Sequence, residues 1–177
     1  ERSTPIQMAD GSLKEIGKLR DGDWIITVNP VTYEKEPSQI YNHYIRMASA
    51  HKQGLYKIAT IDGRSIVATG DHAFLTQNGW INATNLDINV HKVIVDMGEY
   101  RSLISLKSIE HLTQDVLVSD FTTMSSHHSM ISAGFVTHNC GLVKDSAITT
   151  YLSLERDDSY IHGLLVPYLA LMPSRNY

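Results

Sequence analysis

Residues 56–69, YKIATIDGRSIVAT, consist of two β-rich segments on either side of the dipeptide Asp62-Gly63. Asp-Gly between runs of β-branched and aromatic residues is the strongest short-range signal of a β-hairpin, because a tight turn needs backbone angles that these two residues tolerate. The stretch therefore predicts two antiparallel strands.

Several other segments have the same short, β-rich character and are bounded by turn residues. The predicted strands are residues 6–8, 13–19, 24–28, 90–95, 103–109 and 115–121, and residues 130–136 are predicted as a last hairpin around Ala133-Gly134. Turn signals recur roughly every 8–12 residues, whereas helical periodicity is weak and limited to a short turn at residues 83–86. This pattern predicts an all-β fold.

Composition excludes several classes of function. The chain has 177 residues, of which 42% are apolar, and its formal net charge is −4. No apolar run approaches the roughly 20 residues that span a bilayer, and residues 1–5 lack the apolar core of a signal peptide. Without a basic balance, we expect no direct binding of nucleic acid by residues 1–139. The lone Cys140 excludes an internal disulfide and suits a reducing intracellular compartment, the cytoplasm or nucleus.

The triplet His138-Asn139-Cys140 combines three kinds of reactive group. An asparagine side-chain amide can attack its own backbone carbonyl, which forms a succinimide and breaks the following peptide bond. The preceding histidine can transfer protons, and the following cysteine thiolate can accept an acyl group. The triplet thus predicts a cleavable bond with its own proton donor and acyl acceptor.

Two upstream groups could assist this chemistry. In the first, Thr69 and His72 lie at the predicted end of a strand, where a histidine can protonate a leaving amine and a threonine hydroxyl can orient it. In the second, Asp120 precedes His127 and His128, which would face opposite sides of a strand. Structural histidines and a solvated loop are the alternative interpretations of these two groups.

The order and spacing of these motifs resemble the splicing domain of inteins over residues 2–140. The matching segments are residues 4–11 with 19–23, residues 67–76 with Gly79-Trp80, residues 118–122, and residues 128–130 with 133–140. The resemblance implies the horseshoe-like all-β fold that inteins share with hedgehog autoprocessing domains. It also implies splicing in cis by a self-processing, single-turnover domain that needs no cofactor and no metal.

The resemblance assigns roles to individual positions. It implies that Thr69 and His72 act at the first scissile bond, and that His128, His138, Asn139 and Cys140 act at the second. Asp120 would couple the steps by contacting the Cys140 side or the first nucleophile. The family opens with a Cys or Ser nucleophile, which by spacing falls upstream of Glu1, because Ser3 is too close to Thr4.

This position of the nucleophile restricts what the chain can do as it stands. We expect it to perform at most cleavage after Asn139, unless an upstream fragment supplies the missing start. Residues 87–117 are too short for a homing endonuclease, which indicates a mini-intein.

Residues 140–177 have a different character. Residues 140–144, CGLVK, and 147–150, AITT, resemble the second-largest subunit of multisubunit RNA polymerases of eukaryotic or large-DNA-virus type, although Asp145 stands where Asn is expected. We therefore expect an intein domain over residues 1–139. It would be followed by a host segment over residues 140–177 that is partly unstructured or helical outside its host.

Four other readings remain open from the sequence. The chain could be an inactive relic within a polymerase subunit, or a hedgehog-type autoprocessing domain, although the latter does not need a terminal His-Asn-Cys. It could be a fragment of a nucleic-acid enzyme, which only residues 140–177 support. It could also be a structural metal-binding domain, for which His127, His128, His138 and Cys140 would be the ligands.

Overall fold

A computed structural model describes residues 1–138, apart from the side chain of Gln53. The predicted β class is confirmed, since strands account for most of this range. The strands are β1 Pro5–Gln7, β2 Leu13–Glu15, β3 Trp24–Val28, β4 Lys35–Ala48, β5 Leu55–Thr60, β6 Ser65–Thr69, β7 Ala73–Thr76, β8 Gly79–Asn82, β9 Lys92–Asp96, β10 Arg101–Leu112, β11 Val116–Thr123, β12 Ser129–Ser132 and β13 Phe135–His138. Short helical turns occupy Ala50–Gln53 (α1), Ile16–Lys18 and Ala83–Asn85 (both 3₁₀).

The strands of residues 1–138 form two antiparallel sheets. The larger has ten strands in the order β2-β1-β12-β13-β7-β9-β10-β5-β6, with β8 paired to β7 and an additional pairing between β13 and β9. The smaller has the order β11-β4-β3. A bridge between Met8 and Ile25 joins the end of β1 to β3. No helix in residues 1–138 has the length and apolar character needed to cross a membrane.

The hairpin predicted around Asp62-Gly63 is confirmed. Strands β5 and β6 pair in a register that places Ile58 opposite Ile66, and Gly63 has a φ of 93°. That angle lies in the left-handed region, which glycine enters without the steric cost that a Cβ imposes. The hairpin therefore forms for the reason that the sequence indicates.

The centre of the larger sheet is an aromatic core. Phe74 of β7 and Phe135 of β13 are both fully buried, and their rings meet edge to face with centroids 5.8 Å apart. Burial of each ring contributes about 1.5–3 kcal/mol to folding. Since the same two strands lead to His72 and His138, this core fixes the distance between the two histidines.

The β12–β13 hairpin is joined to β3 by hydrogen bonds through one serine. The backbone N–H of Val28 donates to Ser129 Oγ at 2.7 Å, and the hydroxyl of Ser129 donates to the Val28 carbonyl at 2.7 Å. Ser129 is fully buried and pairs directly with His138 across the hairpin. The position of His138 therefore depends on a buried and hydrogen-bonded neighbour.

The structure corrects the sequence analysis in three places. Strand β4, Lys35–Ala48, was not predicted, and neither was the β7–β8 hairpin. Residues 13–19 were predicted as one strand but divide into β2 and the 3₁₀ turn Ile16–Lys18. Residues 87–117, by contrast, contain β9 and β10, where strands were predicted at residues 90–95 and 103–109. The predicted tail, residues 140–177, lies outside the described residues.

Candidate active site

His72 lies in the turn between β6 and β7, where two backbone hydrogen bonds hold its peptide groups. Its N–H donates to the Thr69 carbonyl at 3.0 Å, and its carbonyl accepts from the N–H of Ala83 at 2.9 Å. Both sides of the residue are thus fixed to neighbouring elements. The hydrogen bond between Thr69 and His72 joins their backbones and does not involve the Thr69 hydroxyl. A role for that hydroxyl stays a prediction.

The imidazole of His72 lies in a packed environment. Its ring meets the ring of Phe74 edge to face, with centroids 5.6 Å apart. Burial is the main cause that lowers the pKa of His72 to about 4; the charge of His138 acts in the same direction and that of Asp71 in the opposite one. His72 is therefore neutral at physiological pH and able to accept a proton.

The start of the chain runs beside this histidine. The ammonium group of Glu1 donates to the carbonyl of Val67 in β6 at 3.0 Å, and the N–H of Arg2 donates to the carbonyl of Leu117 in β11 at 2.9 Å. The first residues are therefore anchored between the two sheets next to His72.

The last described residue, His138, arrives at the same place from the opposite strand. Its ring meets the ring of Trp80 edge to face at 5.2 Å, and the ring of His128 lies 6.2 Å away. His138 is also close enough to His72 to lower the pKa of His72. The structure thus brings together His72, His128 and His138, which are far apart in sequence.

Asp120 of β11 also lies near this site. The Phe121 N–H donates to its Oδ1 at 2.9 Å, and the Tyr44 hydroxyl lies 3.4 Å from its Oδ2. Burial raises the pKa of Asp120 to about 7, and the charge of Asp71 acts in the same direction. Asp71, which directly precedes His72, acts electrostatically on both His72 and Asp120. Near neutral pH Asp120 is able to exchange a proton.

His127 and His128 face different surroundings, although they lie in the turn between β11 and β12 rather than on a strand. The Nε2 of His127 is 3.4 Å from Glu36 Oε1, whereas His128 is directed toward His138. Within residues 1–138 no three His, Cys, Asp or Glu side chains are grouped closely enough to hold a metal ion. Asn139 and Cys140 lie outside the described residues.

Sequence reasoning missed two residues next to Asp120. Tyr44 and Arg46 both act on its carboxylate, the first by hydrogen bonding and the second by its charge. They are two positions apart and therefore share one face of β4. A prediction of β4 as a strand would have placed the two side chains on one face and could have revealed them.

Comparison with solved structures identifies the fold. The DnaB intein from Synechocystis sp. PCC 6803 superposes with a TM-score of 0.69 at 22% identity, over 78% of this chain and 95% of that chain. The gp41-1 intein gives 0.61 at 24% identity over 78% and 96%, and the MchDnaB-1 intein gives 0.62 at 17% identity over 78% and 98%. No family model matches the chain.

One curated relative is an RNA polymerase subunit. The DNA-directed RNA polymerase III subunit rpc2 of Dictyostelium discoideum is 45% identical over 87 residues, which are 49% of this chain and 5% of the relative. The match thus spans a small part of that protein. Because it is longer than the stretch from Cys140 to Tyr177, it includes residues of the β domain.

These findings confirm two predicted resemblances, one in sequence and one in fold. The resemblance to an RNA polymerase subunit is confirmed for part of the chain. The predicted architecture is confirmed throughout the described residues: the chain has the horseshoe-like all-β fold of intein splicing domains.

Proposed function

We propose that this domain performs protein splicing, in which residues 1–139 and a short preceding segment are excised from a host protein. One observation carries the proposal: the two ends of the described domain meet beside the β6–β7 turn, which holds His72. The Glu1 nitrogen donates to the carbonyl of Val67 in β6 at 3.0 Å, and Thr137 of β13 pairs with Phe74 of β7. A domain that joins its flanking segments requires this proximity, which can contribute several kcal/mol to rate acceleration.

The first step is an acyl shift at the upstream junction. The thiol or hydroxyl of a Cys or Ser that precedes Glu1 attacks the carbonyl carbon before it, and the C–N bond breaks. His72 can take the proton of the nucleophile and deliver it to the leaving nitrogen, because its imidazole is neutral at rest. Its packing against Phe74 keeps the ring in place during both transfers.

The second step transfers the upstream host segment to Cys140. The Cys140 thiolate attacks the new ester or thioester, whose bond to the first nucleophile breaks, and a branched intermediate results. Asp120 can take the proton of the incoming thiol or return one to the departing group. Its raised pKa, about 7, makes both directions accessible near neutral pH.

The third step releases the domain. The side-chain nitrogen of Asn139 attacks the Asn139 carbonyl carbon, a succinimide forms, and the bond to Cys140 breaks. His138 and His128, whose rings lie 6.2 Å apart, supply the proton for the departing amine and accept the proton of the amide. The amine of Cys140 then attacks the thioester carbonyl, the bond to the Cys140 sulfur breaks, and a peptide bond joins the host segments.

The host that we propose is an RNA polymerase subunit. Support comes from the CGLVK and AITT segments after Asn139 and from the similarity of half of this chain to a polymerase III subunit. On this proposal the reaction takes place in a reducing compartment, where Cys140 stays a thiol. A free upstream fragment could supply the first nucleophile in trans.

The test is a precursor with the upstream junction restored. A Cys is placed directly before Glu1, or one residue farther upstream, behind a short host segment, and the products are followed by mass spectrometry. We expect a ligated host and a free domain that ends at Asn139 as a succinimide. Asn139→Ala should instead accumulate the branched intermediate.

The matched control is Ser126→Ala, which changes an exposed residue of the β11–β12 turn and should splice normally. A precursor that folds but gives neither ligation nor cleavage in both placements of Cys would overturn the proposal in favour of an inactive relic. Release of the upstream segment only to an added external nucleophile, without cleavage at Asn139, would favour hedgehog-type processing.

A further inference from the structure

The Asp120 carboxylate is held on two sides. Its Oδ1 accepts from the N–H of Phe121 at 2.9 Å, and its Oδ2 lies 3.4 Å from the Tyr44 hydroxyl, which donates. Tyr44 is the direct cross-strand partner of Asp120 in the β4–β11 register. With one donor on each oxygen, rotation of the carboxylate about its terminal bond is restricted.

Arg46 completes this arrangement from the same strand. It stands opposite Val118, two residues from Asp120 on β11, and it shares a face of β4 with Tyr44. Its positive charge acts on both Asp120 and Tyr44. Burial and the Asp120 charge raise the pKa of Tyr44, so the phenol keeps the proton that it donates.

We propose that Tyr44 and Arg46 are positioning residues, which orient the Asp120 carboxylate and set its charge state for the splicing reaction. The inference rests on the proposed function, in which Asp120 exchanges protons at the downstream junction. The groups that face Asp120 are the Phe121 N–H from β11, Tyr44 and Arg46 from β4, and Asp71 from the β6–β7 turn. Among these groups, the two β4 residues supply a side-chain hydrogen-bond donor, the hydroxyl of Tyr44, and a positive charge, that of Arg46.

The expected effects have a defined sign. A hydrogen bond or a positive charge that favours the ionised carboxylate lowers the pKa of that carboxylate. Tyr44→Phe removes the hydroxyl but keeps the ring, and Arg46→Gln removes the charge. Both should move the titration of Asp120 to higher pH, Arg46→Gln by about one unit and Tyr44→Phe by less.

The direct experiment is a carboxyl-carbon NMR titration of Asp120 in the full chain. Asn139→Ala is present in every sample, so that the downstream bond stays intact. The matched control is Tyr41→Phe, which changes a tyrosine on the same strand that pairs with Thr122 and is 36% exposed. Arg46→Lys should restore much of the wild-type titration, since it returns the charge.

A second readout separates positioning from general stability. In the precursor that carries the restored Cys, the acid limb of the splicing rate against pH should shift upward with Tyr44→Phe and with Arg46→Gln. Each change should shift nothing further in an Asp120→Asn background, because the group on which it acts is gone. A merely structural role would lower the rate equally at every pH and in both backgrounds.

The outcomes of the two experiments are distinguishable. An unchanged Asp120 titration in both variants overturns the inference, whether or not the precursor splices. A shifted titration in a precursor that cannot splice overturns the proposed function and leaves the electrostatic part of the inference intact. If Tyr44→Phe does not fold, the comparison of Arg46→Gln with Arg46→Lys decides the question alone.

Discussion

The turn that carries His72 and the strand that carries Asp120 show the same physical effect with opposite chemical results. Both groups are partly shielded from water, and burial favours the uncharged form of each. The pKa of His72 falls to about 4, whereas the pKa of Asp120 rises to about 7. At neutral pH one is therefore a base without a proton, and the other is an acid that keeps its proton about half of the time.

The difference shows how one packed environment can supply both proton acceptor and proton donor. Groups whose surroundings move their pKa values away from the ordinary range are natural candidates for acid–base roles. In this domain the two come from different sheets and from distant parts of the chain. Asp71, on the turn beside His72, acts electrostatically on both of them.

The largest expected effect is on the chemistry of the upstream junction. In a precursor with the restored Cys, His72→Ala should slow thiol-induced release of the upstream segment by roughly 10²–10⁴-fold, the range for loss of a general acid–base group. Asp120→Asn should slow that release much less, because Asp120 is proposed to act on the transfer to Cys140. Mass spectrometry of the released segment measures both rates.

The comparison breaks down if the two substitutions slow the same step to the same extent. In that case His72 and Asp120 act as one unit, and their separate roles as base and acid disappear. Circular dichroism of each variant shows whether a lost rate reflects lost structure instead.

The next effect is on stability as a function of pH. Between pH 4 and 6.5 the unfolded chain protonates His72 but the folded chain does not, so this group makes stability rise with pH. Between pH 3.8 and 7 the folded chain keeps a proton on Asp120 that the unfolded chain has lost, so this group makes stability fall with pH. The two contributions oppose each other.

Substitution should expose each contribution. Relative to wild type, Asp120→Asn should make the free energy of unfolding rise more steeply between pH 4 and 6.5, and His72→Gln should make it rise less steeply or fall. We expect differences of about 2–3 kcal/mol across the window, allowing for partial exposure of both residues. Urea denaturation at several pH values measures them, and parallel curves for all three proteins would contradict the prediction.

A smaller effect should follow from Ser129→Ala. This change removes the hydroxyl that joins both polar groups of Val28 to the β12–β13 hairpin and leaves them buried without that partner. The free energy of unfolding should fall by about 1–2 kcal/mol. Chemical denaturation measures this loss, with the exposed Ser126→Ala as the control that should change little.

The smallest effect sharpens the comparison through a shared neighbour. The carboxylate of Asp71 raises the pKa of both His72 and Asp120. Asp71→Asn should therefore lower both values together, by roughly a few tenths of a unit, because Asp71 is exposed and its charge is screened. NMR titration of the two side chains tests this, and movement of only one of them would show that Asp71 does not act on both.

The sequence predicted local structure best where turn chemistry is strong. Asp62-Gly63 and Ala133-Gly134 mark hairpins that the structure contains, and Trp24–Val28 forms a strand as predicted. These features depend on neighbouring residues alone. They can be inferred without knowledge of the rest of the fold.

Strand β4 could not be predicted for an equally physical reason. Its two-residue alternation is interrupted by Pro37 and by Asn42, which has a φ of 54° and lies where the register with β11 shifts between Asp120 and Thr122. The strand is specified by pairing with β11 and β3 rather than by its own pattern. Tyr44 and Arg46 were hidden for the same reason.

The motifs located His72, His128 and His138, which the structure brings close together, and Asp120, which shares the neighbour Asp71 with His72. The sequence could not reveal that burial moves the pKa of His72 and of Asp120 in opposite directions, because burial depends on the packing of distant strands. It also could not reveal the role of Trp80 beside His138, which requires the β7–β8 hairpin to fold back.

The position of β13 has a consequence for timing during synthesis. This strand is the last of the described domain, yet it lies inside the ten-stranded sheet, between β12 and β7. The sheet therefore cannot close until the ribosome has delivered residue 138, and contacts between such distant segments form slowly. If the proposed function holds, a cleavage site assembled by this strand stays inactive until residue 138 has been made. On that proposal, synthesis of the downstream segment begins before the bond in front of it can be cut.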